Sequence, residues 1–434
     1  MAVIVTLVEY EKCSFKTGST NRLIDGELQL TESTISKLEN INKDKEYVHV
    51  GRTFLKPLNH VGVIKVDDLT LEIFPKIFDE ANPKHDKRLL AGNLLKMLEI
   101  AGELPIRDMD RATLDVQNND LFEMFIRIFA KDLFKTLRRT QLRNYVSKHD
   151  DLRFIRGKID HKRQSNPARR HVIPCNYNEF SIDNSLNRTL KYTSYLMSRV
   201  VSGYETKTML RSVLDMLDAV SLQHVSVAEV DRISINRLNR MFEDHIRICR
   251  IFLSNSTLTL QSGGVDSFTF LVPMEKLFEK FIEGSLKLEP EYYFGADVDV
   301  IPQYLLGSLA RKNDRDTVFR LYPDITLKRR GKEFAILDMK YKKLNEEKSE
   351  QGVSQSDIYQ MFAYTNISGA KRGMLLYPSM LGDSEGRYEL FDVRSPASSI
   401  PLMIRTIDMS IDLCNDWNLF KRNLAEIVKE LIFD

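Results

Sequence analysis

Residues Glu333 to Tyr341 carry apolar side chains at both parities, Phe334 and Ile336 on one and Ala335, Leu337 and Met339 on the other. A strand apolar on both faces is normally buried on both, so this segment calls for a sheet covered on each side. Two charges interrupt it, Asp338 and Lys340. Charge inside such a strand is costly unless it is paired or holds a metal. Because strand side chains alternate, positions i and i+2 project to one side, and Asp338 and Lys340 share it. Upstream, Arg330-Gly331 reads as a turn and Asp324 as the opening residue of a partner strand, so one β-hairpin carries two carboxylates and a lysine.

Those residue types suit one kind of chemistry. Phosphodiester hydrolysis needs hard oxygen ligands to hold Mg²⁺ at the scissile phosphate, and a cation to orient the attacking water or neutralise developing charge. The plain alternative is a half-buried Asp–Lys ion pair with a purely structural role.

At 434 residues the chain is long enough for two or three domains. A hydrophobic fraction of 43% beside 29% charged residues is the balance of a soluble globular protein and excludes a disordered chain. No apolar run approaches the roughly 20 residues that span a bilayer. The apolar start, Met1 to Val8, lacks a basic n-region and a cleavage site and reads as a first strand. We therefore expect a cytoplasmic protein without membrane attachment. The four cysteines, Cys13, Cys175, Cys249 and Cys414, are too scattered for a zinc site or a disulfide framework. With a net charge of only +2, any nucleic-acid surface has to be a local patch.

Three regions are expected, giving a multidomain α+β chain. Residues 1–80 alternate as short strands, Val3 to Tyr10, Glu46 to Phe54 and Val61 to Ile73, and form a small β-rich N-terminal domain, with Asp79 to Asp86 as a linker. Residues 81–255 form a mostly helical middle region, with helices from Lys87, over Asn118 to Leu137, over Asn187 to Val201, over Lys207 to Val220 and over Ile233 to Leu253. Between Lys131 and Arg170 there are thirteen Lys or Arg against four Asp or Glu. Arg138, Arg139, Arg143, Arg156 and Lys158 belong to this run, with Tyr145 and Phe154 interleaved. Such a stretch grips phosphates, docks a protein partner or is simply solvated, and charge alone does not choose. Ser254 to Phe268 marks a boundary, and the third domain occupies 270–434.

In that last region a helix starting at Pro273 places Glu275, Glu279 and Glu283 on one line, so Glu279 is either a third acidic group of the site or part of an exposed face. After the polar loop Asn345 to Ser354, a helix over Gln355 to Thr365 puts Gln360 and Tyr364 one turn apart, as supports of the site or as an ordinary polar stripe. The apolar run Gly373 to Tyr377 is the next buried strand, giving the order α, β, β, β, α, β, with the last strand expected parallel to its neighbour after the crossover helix.

Pro323-Asp324, Asp338-Met339-Lys340 and the Gln360/Tyr364 pair resemble the PD-(D/E)XK nuclease superfamily, in its branch with a Q-x-x-x-Y helix. More narrowly, Leu71 to Ile77, Arg156 to Ile159, Asn187 to Leu190, Leu277 to Phe281, Leu321 to Asp324, Leu337 to Lys342 and Leu376 to Pro378 together resemble the McrC family, in order from 71 to 378. The resemblance implies a mixed sheet flanked by helices in the C-terminal domain. It further implies the Mg²⁺-dependent endonuclease subunit of a McrBC-like, GTP-dependent restriction system, acting on double-stranded DNA and docking on and stimulating an AAA+ GTPase of McrB type. On the same footing, Asp324 and Asp338 would bind Mg²⁺, with the Met339 carbonyl as a further ligand, and Glu279, from its place on the helix, is the candidate third acidic ligand. Lys340 would assist the attacking water, and Gln360 and Tyr364 would support the site. The N-terminal and middle regions would serve the partner.

No G-x-x-x-x-G-K-[ST] loop occurs, so the chain is not expected to hydrolyse nucleotides alone. Two other functions remain in view: a free-standing RecB-like repair nuclease, and a non-catalytic activator of an AAA+ ring in which Asp338 and Lys340 are a relic pair.

Overall fold

A computed structural model describes residues 3–24, 27–43, 45–78, 87–105, 121–140, 142–164, 171–258, 265–312, 316–342, 344, 353–379, 388–394 and 399–432. The expected linker Asp79 to Asp86, most of the loop Asn345 to Ser354, and Arg169 and Arg170 of the basic run lie outside these residues. The chain folds into two compact units, Met1–Val116 with Phe270–Asp434, and Gln117–Thr269. Its architecture is mixed α+β, with several sheets and helices packed on them.

In the first unit, Val3–Val8 lies parallel to Leu69–Phe74, which pairs antiparallel with His60–Val66. Leu69–Phe74 is buried at every position. Its alternation of Leu and Ile with Thr70 and Glu72 is therefore not a wet face, and Glu72 accepts a hydrogen bond from Thr6 Oγ1 at 3.2 Å. Gly62, at φ 134°, is required by close approach, because a Cβ there would stand 2.1 Å from the Phe270 carbonyl oxygen. Val3, Val5, Leu7, Phe15, Leu28, Leu55 and Leu71 belong to the core of this region.

The C-terminal sheet has six strands in the order Val298–Pro302, Ile325–Arg329, Lys332–Met339, Arg372–Ser379, Ser399–Asp408 and Tyr388–Arg394. It is mixed: Lys332–Met339 runs parallel to Arg372–Ser379, which runs parallel to Ser399–Asp408, and the remaining pairs are antiparallel. The hairpin turn falls at Arg330-Gly331, with φ 52° and 76°, the paired left-handed conformation of a tight two-residue turn. The strand apolar at both parities is fully buried from Ala335 to Met339. One face is covered by the Met274–Leu288 helix, which packs through Leu277, Phe278, Phe281 and Ile282. The Gln355–Ser368 helix is capped by Ser354 and ended by Gly369 in the left-handed region. It joins a cluster of Ile336, Met361, Tyr364, Leu375 and Tyr377.

The second unit holds the helices Leu121–Arg139, Ser185–Val200, Tyr204–Met216 and Glu243–Ser254. Between the first two, Asn144–Leu152 pairs antiparallel with Ile173–Ser181, and Lys158–Ile159 adds to its edge. Sequence periodicity gives no sign of these strands. Asn144–Leu152 has no buried position at all, so the apolar alternation that marks a half-buried strand never arises.

Candidate active site

The turn at 330–331, together with a one-residue register shift between Leu327 and Lys328, sets the pairing that brings the two carboxylates together. Asp324 stands just before its strand, opposite the end of Lys332–Met339, and its Oδ2 accepts a hydrogen bond from the Met339 backbone N–H at 2.8 Å. Asp338 is 1% exposed and Asp324 9%. Lys340 Nζ stands 2.6 Å from Asp338 Oδ2, so the ammonium and the buried carboxylate are held together by charge and by hydrogen bonding.

The electrostatics tie four groups into one site. Burial, then the charges of Asp338 and Glu279, push the Asp324 carboxyl up to about 8. Burial also raises Asp338, against the pull of Lys340. Glu279 is raised by burial and by Asp338 and Glu275, with Lys340 opposing. For Lys340 burial works downward, and the carboxylates of Asp338, Asp324 and Asp357 outweigh it, leaving the ammonium above its ordinary range. Glu279 therefore lies within electrostatic reach of the pair rather than on a purely solvated face.

Gln360 and Tyr364 act in series. Gln360 Nε2 donates to the Tyr364 hydroxyl at 2.7 Å, and that hydroxyl donates to the Tyr322 carbonyl at 3.1 Å. The helix thus pins the backbone two residues before Asp324. Burial and the nearby Asp338 charge push the Tyr364 phenol up to about 12, so it stays a donor.

Two contributors escaped sequence reasoning. Gln303 donates from its backbone N–H to the Asp324 carbonyl (3.1 Å) and from Nε2 to Asp324 Oδ1 (3.2 Å). Asp357 accepts from Lys342 Nζ at 2.9 and 3.0 Å and from the Tyr377 hydroxyl at 3.3 Å, and its charge helps raise Asp338. The available signal for Asp357 was Ser354-x-x-Asp357, which reads equally well as a helix cap.

The basic candidates Arg138, Arg139, Arg143, Arg156 and Lys158 are all exposed and belong to the second unit. Arg138 and Arg139 end the Leu121–Arg139 helix. Arg156 lies over the Tyr177 ring at 4.1 Å and reaches Glu179 at 3.4 Å.

A six-stranded mixed sheet thus carries two buried Asp and a Lys at adjoining strand ends. The model of the family described as "McrBC 5-methylcytosine restriction system component" matches residues 55–378, most of the chain, and the chain belongs to that family. Among solved structures, a chain of the Thermococcus gammatolerans assembly of McrB AAA+ hexamers with bound McrC is similar at TM-score 0.72 and 22% identity. That match covers 99% of this chain and 100% of the other. A chain of the McrBC complex of the same organism matches at TM-score 0.49 and 26% identity, over 66% of this chain and 87% of that one. No curated protein matches. Among the described residues no helix is long and apolar enough to cross a membrane.

Proposed function

We propose that this chain is the Mg²⁺-dependent DNA endonuclease subunit of a GTP-driven restriction system, working with an AAA+ GTPase of McrB type that it docks on and stimulates. Family membership supports the restriction role, and the assembly of its structural neighbour supports the partner. The observation that carries the cleavage reading is the joining of Asp324, Asp338 and Lys340 in one buried, mutually charged cluster.

The residues present fit a hard divalent cation. Asp324 and Asp338 are buried carboxylates, Asp324 is raised by the charges of Asp338 and Glu279, and carboxylates that repel one another in this way are relieved by positive charge between them. Mg²⁺ is bound through one or two carboxylates and keeps several waters. Asp324 and Asp338 would hold it, with Glu279 and the Met339 carbonyl next in line. When bound, the ion supplies Lewis acidity and a more acidic water. Lys340 holds an ammonium, its side chain 17% exposed, beside that position, where it orients the attacking water or offsets negative charge on the phosphate. Tyr364 and Gln360 keep the Asp324 backbone in place.

The test is cleavage of methylated duplex DNA by the purified chain with its AAA+ partner, GTP and Mg²⁺. Asp338→Ala and Lys340→Ala should abolish cleavage while GTPase stimulation stays near normal. Loss of both together would mean that the hairpin is a docking element, and undiminished cleavage by both variants would leave only the role of a non-catalytic activator. Cleavage without partner or GTP would favour a free-standing nuclease.

A further inference from the structure

We propose that Gln303 is a positioning residue for the metal site, fixing the orientation of the Asp324 carboxylate that would hold the cation. The inference rests on the reading of Asp324 and Asp338 as the divalent-cation ligands. Gln303 follows Val298–Pro302, the strand that pairs with Ile325–Arg329 so that Pro302 faces Ile325. One step further along this register Gln303 faces Asp324, and it grips it twice, by the backbone bond to the carbonyl and by the Nε2 bond to Oδ1. On the other side the Met339 N–H holds Oδ2. Each carboxylate oxygen is thus fixed by one donor, from strands on opposite sides. A carboxylate oxygen accepts more than one bond, so a lone pair on each remains for a cation.

The backbone of Gln303 makes its identity informative. Its φ is 47°, in the left-handed region that glycine and asparagine fill most cheaply. A residue chosen only to turn the chain out of the sheet toward the Gly307–Lys312 strand would be one of those two. Glycine has no side-chain amide, and asparagine is one methylene shorter, which takes its amide away from a partner that Gln303 reaches at 3.2 Å. Strained backbone persists where the surroundings over-determine it, commonly beside functional groups. The side chain's reach to Asp324 is what the strain secures.

Gln303→Gly and Gln303→Asn separate the two roles, since both relax the backbone and both remove the bond to Oδ1. In titration calorimetry of the full-length chain with Mn²⁺, each variant should bind roughly tenfold more weakly, the lower end of the effect of removing a group that orients a metal ligand. Neither should melt earlier than the parent without metal. With the partner, cleavage should need correspondingly more metal while KM for DNA stays unchanged and kcat recovers at saturating metal. If both variants bind Mn²⁺ as the parent does while Asp324→Asn has lost it, the positioning role is overturned and the site reading stands. If Asp324→Asn also binds as the parent does, the site reading falls and this inference with it.

Discussion

Replacing Asp324 by Asn should stabilise the metal-free protein in alkaline solution while destroying cleavage. In the folded chain the Asp324 carboxyl is pushed up to about 8 from an ordinary value of 3.8, first by burial and then by Asp338 and Glu279. Below pH 3.8 it is protonated in both the folded and unfolded chain and costs nothing. As pH rises from 3.8 through about 8 the unfolded chain gives up the proton first, so stability is lost across that window and the full loss is present above it. The gap between 3.8 and about 8, at about 1.4 kcal/mol for each tenfold change in proton affinity, gives a ceiling of about 6 kcal/mol. Asp338 titrates against the same field, so about half, ~3 kcal/mol, is assigned to Asp324 alone. Asparagine keeps an acceptor for Met339 N–H and cannot ionise. In chelator, Asp324→Asn should therefore melt about 5–10 °C above the parent at pH 8.5, with only a fraction of that gain at pH 5.5. Mg²⁺ should raise the melting temperature of the parent and not of the variant. A variant that melts no higher than the parent at pH 8.5, or a gain independent of pH, would refute the claim that these carboxylates repel one another in a buried site.

Other outcomes are open to measurement. Glu9 is buried, accepts from the Tyr341 hydroxyl at 2.6 Å, and burial pushes it up to about 7 from 4.5; a raised carboxyl costs stability as pH climbs from 4.5 to about 7, so Glu9→Gln should remove up to about 3 kcal/mol of that loss, seen as a flatter dependence of melting on pH. In the second unit, buried Glu123 accepts from Ser202 Oγ (3.2 Å), Gly203 N–H (3.1 Å) and Thr206 Oγ1 (3.1 Å) at the start of the Tyr204–Met216 helix. Glu123→Ala should cost about 2–4 kcal/mol in denaturant unfolding, because it strands those donors. Charge reversal at Arg138, Arg139 and Arg143 together should weaken binding to DNA or to the AAA+ partner in salt-dependent fashion, and unchanged binding to both would make the stretch solvated surface.

The amino-acid order by itself determined the hairpin, its turn and the strand buried on both faces. Each is written in local terms: Arg-Gly supplies left-handed turn residues, and apolar residues at both parities demand cover on two sides. It also placed Asp338 and Lys340 on one side of a strand, and Gln360 and Tyr364 on one face of a helix, because those relations follow from repeats of two and of about four residues. Only the tertiary structure decided that Asp324, fifteen positions earlier, meets the Met339 amide, that Tyr364 reaches the Tyr322 carbonyl, and that Gln303 and Asp357 join the neighbourhood. The strand Asn144–Leu152, with no buried position, and its partner Ile173–Ser181, buried only at Pro174 and Cys175, were equally hidden, since their order comes mainly from pairing with each other. Periodicity records which side a residue takes along its own element; what lies opposite depends on register and packing between segments far apart in the chain, and these leave no local mark.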